Sequence, residues 1–147
     1  MLCDDQTDYD DNEIEEFYDQ LQNVIDQALK DILVVQGDWN ATVDKDACEN
    51  WQDTCGPFNS GDTNERGLRL ASFYNFVFTN TFCHYNASRG WNWHSPNGHH
   101  NQIDYILVRK RFRLGVNHAR TRSFPGADTG SDHDLLMMTF HLRLKIN

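Results

Sequence analysis

Three groups of polar residues in this sequence stand where apolar strands begin or end: Asp38 with Asn40, Asp104, and Asp132 with His133. Asp38 and Asn40 are two residues apart, so on an extended backbone both project from one face, where they can align a water molecule. Asp104 sits between Ile103 and the run from Tyr105 to Val108. A carboxylate there is costly to bury unless it is paired. Histidine is a suitable partner, because a carboxylate accepting from one ring nitrogen fixes the tautomer and raises the basicity of the other. Together these groups suit phosphodiester hydrolysis. An anionic substrate calls for a divalent cation on carboxylates, a group that aligns water for in-line attack, and a donor to the phosphorane oxygens. By residue type, Asp38 and Asn40 align, His133 donates with Asp104 behind it, and Asp132 lies near the metal. Gly130, Ser131 and Asp132 are also ordinary turn chemistry before a strand, so the reading rests on the ensemble.

The elements that must position these groups are visible as periodicities. After Asp132 and His133, the residues Leu136, Met138, Phe140, Leu142, Leu144 and Ile146 repeat with a period of two and predict a strand with one core face. Ile32 to Val35 is a continuous apolar run, predicting a strand covered on both faces and released by Gly37. In "NQIDYILV", Gln102, Asp104 and Ile106 share one face, and Ile103, Tyr105 and Leu107 the other. A helix is expected over Asp11–Lys30, with Ile14, Phe17, Leu21, Val24, Ile25, Ala28 and Leu29 as its apolar stripe and Asp10 with Glu13 at its cap. A second helix is expected from about Glu65 to Asn75, with Leu70, Phe73 and Val77 inward, and "FVFTNTF" reads as a short strand. Residues 1–10 read as disorder or a loop start, Thr42 to Thr63 as a long polar loop, and Trp91 to Gly98 as an aromatic-bearing loop. The order of helix, strand, helix and three further strands makes residues 11–147 one mixed α/β layer structure.

Bulk properties narrow the class. The chain of 147 residues is 39% hydrophobic, 12% aromatic and 24% charged, which suits one globular domain. No run approaches the ~18 apolar residues of a membrane span, and the start lacks the regions of a signal peptide, so a nuclear or cytoplasmic location is expected. Cys3, Cys48, Cys55 and Cys83 form no Cys-x-x-Cys pair and read as four free thiols. His94, His99 and His100 read as loop histidines rather than metal ligands. The net charge of -9 is unevenly spread: residues 1–53 hold 16 of the 22 acids but only Lys30 and Lys45 among the bases. The basic excess gathers at Arg109, Lys110, Arg111, Arg113, Arg120 and Arg122, a cluster expected on the side of the site, where it would meet phosphates.

The ordered motifs "GDWN", "NERG…L", "TNTF", "W…SPNG", "NQIDYILV" and "GADTGSDHDLL" span nearly the whole chain. In that order the sequence resembles the endonuclease/exonuclease/phosphatase superfamily, in its branch of apurinic-type endonuclease domains from non-LTR retrotransposons. The resemblance implies a four-layer α/β sandwich, two packed mixed β-sheets flanked by helices, of which this chain corresponds to the C-terminal half. It implies cleavage of DNA phosphodiesters with Mg2+ or Mn2+. Carried over by motif, Asp38 aligns or activates water, Asn40 helps position it, Asp104 orients His133, His133 contacts the phosphate, and Asp132 and Asp38 serve the metal. Asn80, Trp93, Ser95, Asn101, Arg109 and Arg111 are the nucleic-acid contacts the likeness implies. Two departures stand out. Trp39 replaces the commoner Phe, and the family's early motifs are absent, among them the strand with the metal-binding Glu. The expectation is therefore a weakly active or inactive copy whose partners are DNA and a chain supplying the other half, with no membrane. The competing readings are a non-catalytic remnant acting as a nucleic-acid-binding or interaction module, and a phosphatase or sphingomyelinase-like esterase of the same superfamily.

Overall fold

Tyr105, Ile106, Leu107 and Val108 are all buried, so the strand that carries them must have neighbours on both edges and cover on both faces. A computed structural model of the chain describes residues 11–28, 32–39, 49–58, 65–84, 90–121 and 130–143. Asn40, Arg122, Leu144 and Ile146 lie outside the described residues. The chain divides into a unit up to Leu33 and a larger one from Val34 onward.

The first unit contains helix α1, Asp11–Gln27, with Asp11 and Glu13 in its first turn, where they suit the positive end of the helix dipole. Its apolar seam is narrower than the expected stripe. Tyr18 and Ile25 are buried, while Phe17 is 51% and Val24 60% exposed. Ile14, Tyr18, Leu21 and Ile25 follow the three-and-four spacing of a single face, and Phe17 and Val24 each stand one residue, or about 100°, to its side.

The second unit is built on a three-stranded antiparallel sheet in the order β1-β5-β2. Its strands are β1 (Val34–Asp38), β2 (Phe76–Phe78) and β5 (Asp104–Arg109). Strand β1 differs from expectation. It begins at Val34 and runs through Gly37 to Asp38, and as an edge strand it leaves Val34 exposed instead of covered on both faces. Helix α2, Glu65–Phe73, buries Leu68, Leu70 and Ala71, and Tyr74 continues that face, whereas Phe73, expected inward, is 79% exposed. The helix stops because Asn75 adopts a positive φ of 56°, a left-handed C-terminal turn that asparagine tolerates well. The Asn75 carbonyl then accepts from the Lys110 N–H at 2.7 Å, tying the start of β2 to the end of β5.

"FVFTNTF" divides into β2 and a 3-10 turn over Thr79–Thr81, and all six residues from Phe76 to Thr81 are buried. The turn is fastened by its own hydroxyls: Thr79 Oγ1 donates to the Ile106 carbonyl at 2.7 Å, and Thr81 Oγ1 to that of Phe78 at 2.6 Å. Gly56 packs so closely here that a Cβ would lie 2.4 Å from the Thr81 carbonyl oxygen. A two-stranded hairpin, β3 (Trp93–His94) with β4 (His100–Asn101), leads into β5. The last pair is β6 (Val116–Thr121) with β7 (Leu136–Phe140). Strand β7 shows the expected alternation, with Leu136, Met138 and Phe140 half-buried and Met137 and Thr139 exposed, but it ends at Phe140. Strand β6, where only a basic segment was expected, covers the 3-10 turn.

The chain thus has the mixed α/β class expected, with its described strands paired antiparallel. No helix among the described residues is long and apolar enough to cross a membrane. Cys55 is disulfide-bonded, against the expectation of four free thiols, and Cys83 is free.

Candidate active site

Antiparallel pairing of β1 with β5 sets Asp38 directly opposite Asp104, at the sheet end where β5 begins. A bridge between Trp93 of β3 and His133 carries the histidine to the same place. His133 Nδ1 lies 3.0 Å from Asp104 Oδ2, and its Nε2 lies 3.8 Å from Asp38 Oδ2. The first distance is a hydrogen bond; the second is a close charge contact beyond hydrogen-bond range. One ligand-capable atom from each of the three residues lies within 4.8 Å of the others. Asp104 accepts the Nδ1 proton, which leaves Nε2 facing Asp38.

Burial and charge compete in this cluster. The Asp104 carboxyl is held above the usual carboxylate range because burial outweighs the hydrogen bond and charge of His133. Burial opposes the charge on His133, yet the hydrogen bond to Asp104 and the carboxylates of Asp104, Asp38 and Asp132 lift it above the ordinary imidazole value. The pair therefore favours a protonated imidazole against a reluctant carboxylate.

Two asparagines hold the backbone of Asp104. Asn92, fully buried, accepts with Oδ1 from the N–H groups of Ile103 and Asp104, at 2.8 and 3.0 Å. Its Nδ2 donates to the Asp104 carbonyl at 2.8 Å. Its main chain donates to the Asn101 carbonyl and accepts from the Asp134 N–H. Asn80 Nδ2 donates to the same Asp104 carbonyl at 3.1 Å, and its Oδ1 accepts from the Ile106 N–H. One asparagine therefore links the β3–β4 hairpin, the start of β5 and the approach to β7.

The sequence-derived candidates fall into distinct places. Asp38, Asp104 and His133 converge. Asp132 is exposed and outside the three-residue cluster, its Oδ2 accepting from Trp93 Nε1 at 3.0 Å. Trp93 and Asn101 are cross-strand partners in the hairpin beside the site, and Ser95 follows at its turn. Asn80, expected to touch nucleic acid, is 3% exposed, and both ends of its amide bind the backbone of β5, so it is a structural residue. Arg109 is also displaced from its expected role. It ends the strand that Asp104 begins, about 17 Å away at ~3.3 Å per residue. There it donates to the Tyr74 carbonyl and lies over the Phe76 ring. Arg111 follows in a second 3-10 segment, Lys110–Gly115, at that same far end, over the Phe112 ring, and Lys110 pairs with Asp53 at 2.9 Å. The basic cluster after Tyr105 thus begins away from the site, because an extended strand carries sequence neighbours apart. Residue patterning passed over Asn92 and Asp134, and His94 and His100, read as loop histidines, lie instead in β3 and β4 beside the site. A polar residue between Trp91 and Trp93 was the available signal for Asn92.

The donor set fits a hard divalent cation in part. Asp38 and Asp104 offer carboxylate oxygens, which Mg2+ prefers, while the imidazole is engaged with Asp104 and suits phosphate better than Mg2+.

No protein-family model matches the chain. Over 142 residues, 93% of its length, it is 42% identical to craniofacial development protein 2 of Bos taurus and 41% identical to that of Tragulus javanicus. It spans 23% and 24% of those relatives, about a quarter of their length. Its fold matches the endonuclease domain of TRAS1, a telomere-specific non-LTR retrotransposon, with a TM-score of 0.57 and 15% identity, covering 89% of this chain and 53% of that one. The chain is similar to craniofacial development protein 2 over about a quarter of that protein's length and has the fold of part of a retrotransposon endonuclease domain.

Proposed function

We propose that the Asp38–Asp104–His133 cluster hydrolyses DNA phosphodiesters in the manner of a retrotransposon-type endonuclease, with Mg2+ or Mn2+. The observation that carries this reading is the convergence of three residues distant in sequence, with His133 Nδ1 at 3.0 Å from Asp104. Protonated His133 donates from Nε2 to a non-bridging phosphate oxygen. Asp38, and Asn40 two residues beyond it, orient the attacking water. As the water oxygen bonds to phosphorus it gives up a proton to the Asp38 carboxylate, one P–O ester bond breaks, and the leaving oxygen takes up a proton from solvent. Asp104 holds the imidazolium in one orientation and stabilises its charge. A divalent cation, when bound at the carboxylates of Asp38 and Asp104, supplies charge neutralisation. In this reading Trp93, Ser95 and Asn101 on the adjoining hairpin contact the DNA strand.

Nicking of supercoiled plasmid tests the reading. The expected result is slow, Mg2+-dependent conversion to open circles, stopped by chelation and reduced by His133→Ala at least ~100-fold, the usual scale of a positioned proton donor. Nicking unaffected by His133→Ala would place the chemistry elsewhere. A second reading, a non-catalytic nucleic-acid-binding module, is favoured by the presence of only two carboxylates in the described cluster. Duplex binding with no nicking at all would select it.

A further inference from the structure

Beside the proposed hydrolytic cluster, three further side chains come together from two segments. His94 and His100 are direct cross-strand partners in the β3–β4 hairpin. Their Nδ1 atoms lie 2.6 Å apart. His94 Nε2 lies 2.6 Å from Asp134 Oδ2, and the His100 ring stacks on Trp91 with centroids 4.5 Å apart and planes 17° apart. We infer that His94 and His100 form a binding site for one nitrogen-preferring divalent cation (nickel, zinc or copper), separate from the Asp38–Asp104–His133 cluster.

The tautomer argument supports this site. His94 donates its Nε2 proton to Asp134, so its Nδ1 lone pair points at His100. A metal-ligating histidine whose other nitrogen donates to a carboxylate is the common arrangement in protein metal sites. Two imidazole nitrogens converging on one point otherwise require one of them to hold a proton for the other. Opposed residues on paired strands have Cβ atoms only ~5 Å apart, which lets both rings reach a common ion. At metal–nitrogen distances of ~2.0–2.1 Å in a tetrahedron, the two nitrogens stand roughly 3.3 Å apart. The rings need therefore open by less than an ångström, and His100 is exposed and His94 half-exposed. Nitrogen donors select nickel, copper and zinc over magnesium, so the site would not compete for the cation of hydrolysis. Stacking on Trp91 and the bond to Asp134 hold the two rings from opposite sides. The ion would staple β3 to β4, the hairpin whose Trp93 bridges to His133 and bonds Asp132.

The test is calorimetric titration of the untagged chain with Ni2+, together with paramagnetic resonance of the Cu2+-loaded protein. The expected result is one Ni2+ per chain and a copper spectrum showing coupling to two imidazole nitrogens. His94→Ala and His100→Ala should each abolish the transition. Asp134→Ala should weaken it roughly 10–100-fold, as removal of such a supporting group does, while His133→Ala should leave it in place. Circular dichroism of each variant, with His100→Gln as a milder second change at an exposed position, separates loss of binding from loss of fold. Unchanged Ni2+ affinity in folded His100→Ala or His100→Gln would overturn the inference. So would loss of the transition in folded His133→Ala, which would assign the ion to the other cluster.

Discussion

Replacing Asn92 by Ala should damage the fold more than replacing Asp38, Asp104 or His133. The Asn92 side chain makes three hydrogen bonds at 2.8, 3.0 and 2.8 Å, to the Ile103 and Asp104 N–H groups and the Asp104 carbonyl. Truncation leaves that carbonyl with Asn80 as a second donor, so its loss is partly compensated. The two N–H groups lose their side-chain acceptor in a region where Asn92 itself is fully buried. A buried donor left without a partner costs about 1–3 kcal/mol, which makes the expected destabilisation roughly 2–5 kcal/mol. For a chain of this size each kcal/mol lowers Tm by about 2–4 °C, so thermal unfolding followed by circular dichroism should show a fall of roughly 4–20 °C. Asn92→Asp should lie between Ala and the native residue, since a carboxylate still accepts both N–H groups but no longer donates to the carbonyl. An Asn92→Ala variant melting within a degree or so of the native chain would show that β5 begins where it does for other reasons.

The remaining predictions concern charge and close packing. His133 titrates above its ordinary value of 6.5 in the folded chain. Its contribution to stability is therefore complete below 6.5 and lost as pH rises through the folded value. The Tm advantage of the native chain over His133→Asn should be larger near about pH 6 than near about pH 8.5, and an advantage that grew with pH would refute the shift. Asp104, also raised, acts in the same sense just above 3.8. In Asp104→Asn the His133 pKa, followed by proton NMR of the ring, should fall, because the hydrogen bond and charge that lift it are removed while burial remains. Gly56→Ala should destabilise by about 1–3 kcal/mol or more, as overpacking does, since its Cβ would meet the Thr81 carbonyl oxygen at 2.4 Å; an unchanged denaturant midpoint would mean that the segment shifts freely.

What could be read in the sequence followed the chemistry of side chains against backbone periodicity. Asp38, Asp104 and His133 stood out because titratable groups interrupt apolar strands, and β7 because Leu136, Met138 and Phe140 alternate. Positions that act through main-chain groups gave no such signal. Asn80 and Asn92 are both asparagines in polar company, yet each uses its amide to close the backbone of β5. Arg109 and Arg111 misled for a geometric reason, since linear proximity to Asp104 becomes distance along an extended strand. Phe17, Val24 and Phe73 misled because hydrophobic type does not fix helical phase, which burial of Tyr18 and Tyr74 set instead.

Asp104 is the first residue of its strand, a place where chains ordinarily fray. Here its carbonyl receives two amide donors and its N–H a side-chain acceptor, so the end of the strand is closed like an interior position. The conformational entropy of fixing the carboxylate is thus surrendered once, during folding, and would not be exacted again on binding the phosphate that the proposed function calls for. A carboxylate on a loose strand end would have to be ordered by its substrate, and part of the binding energy would be lost to that ordering. Under the proposed function, the interactions with a bound phosphate would be left to act on the reacting bond.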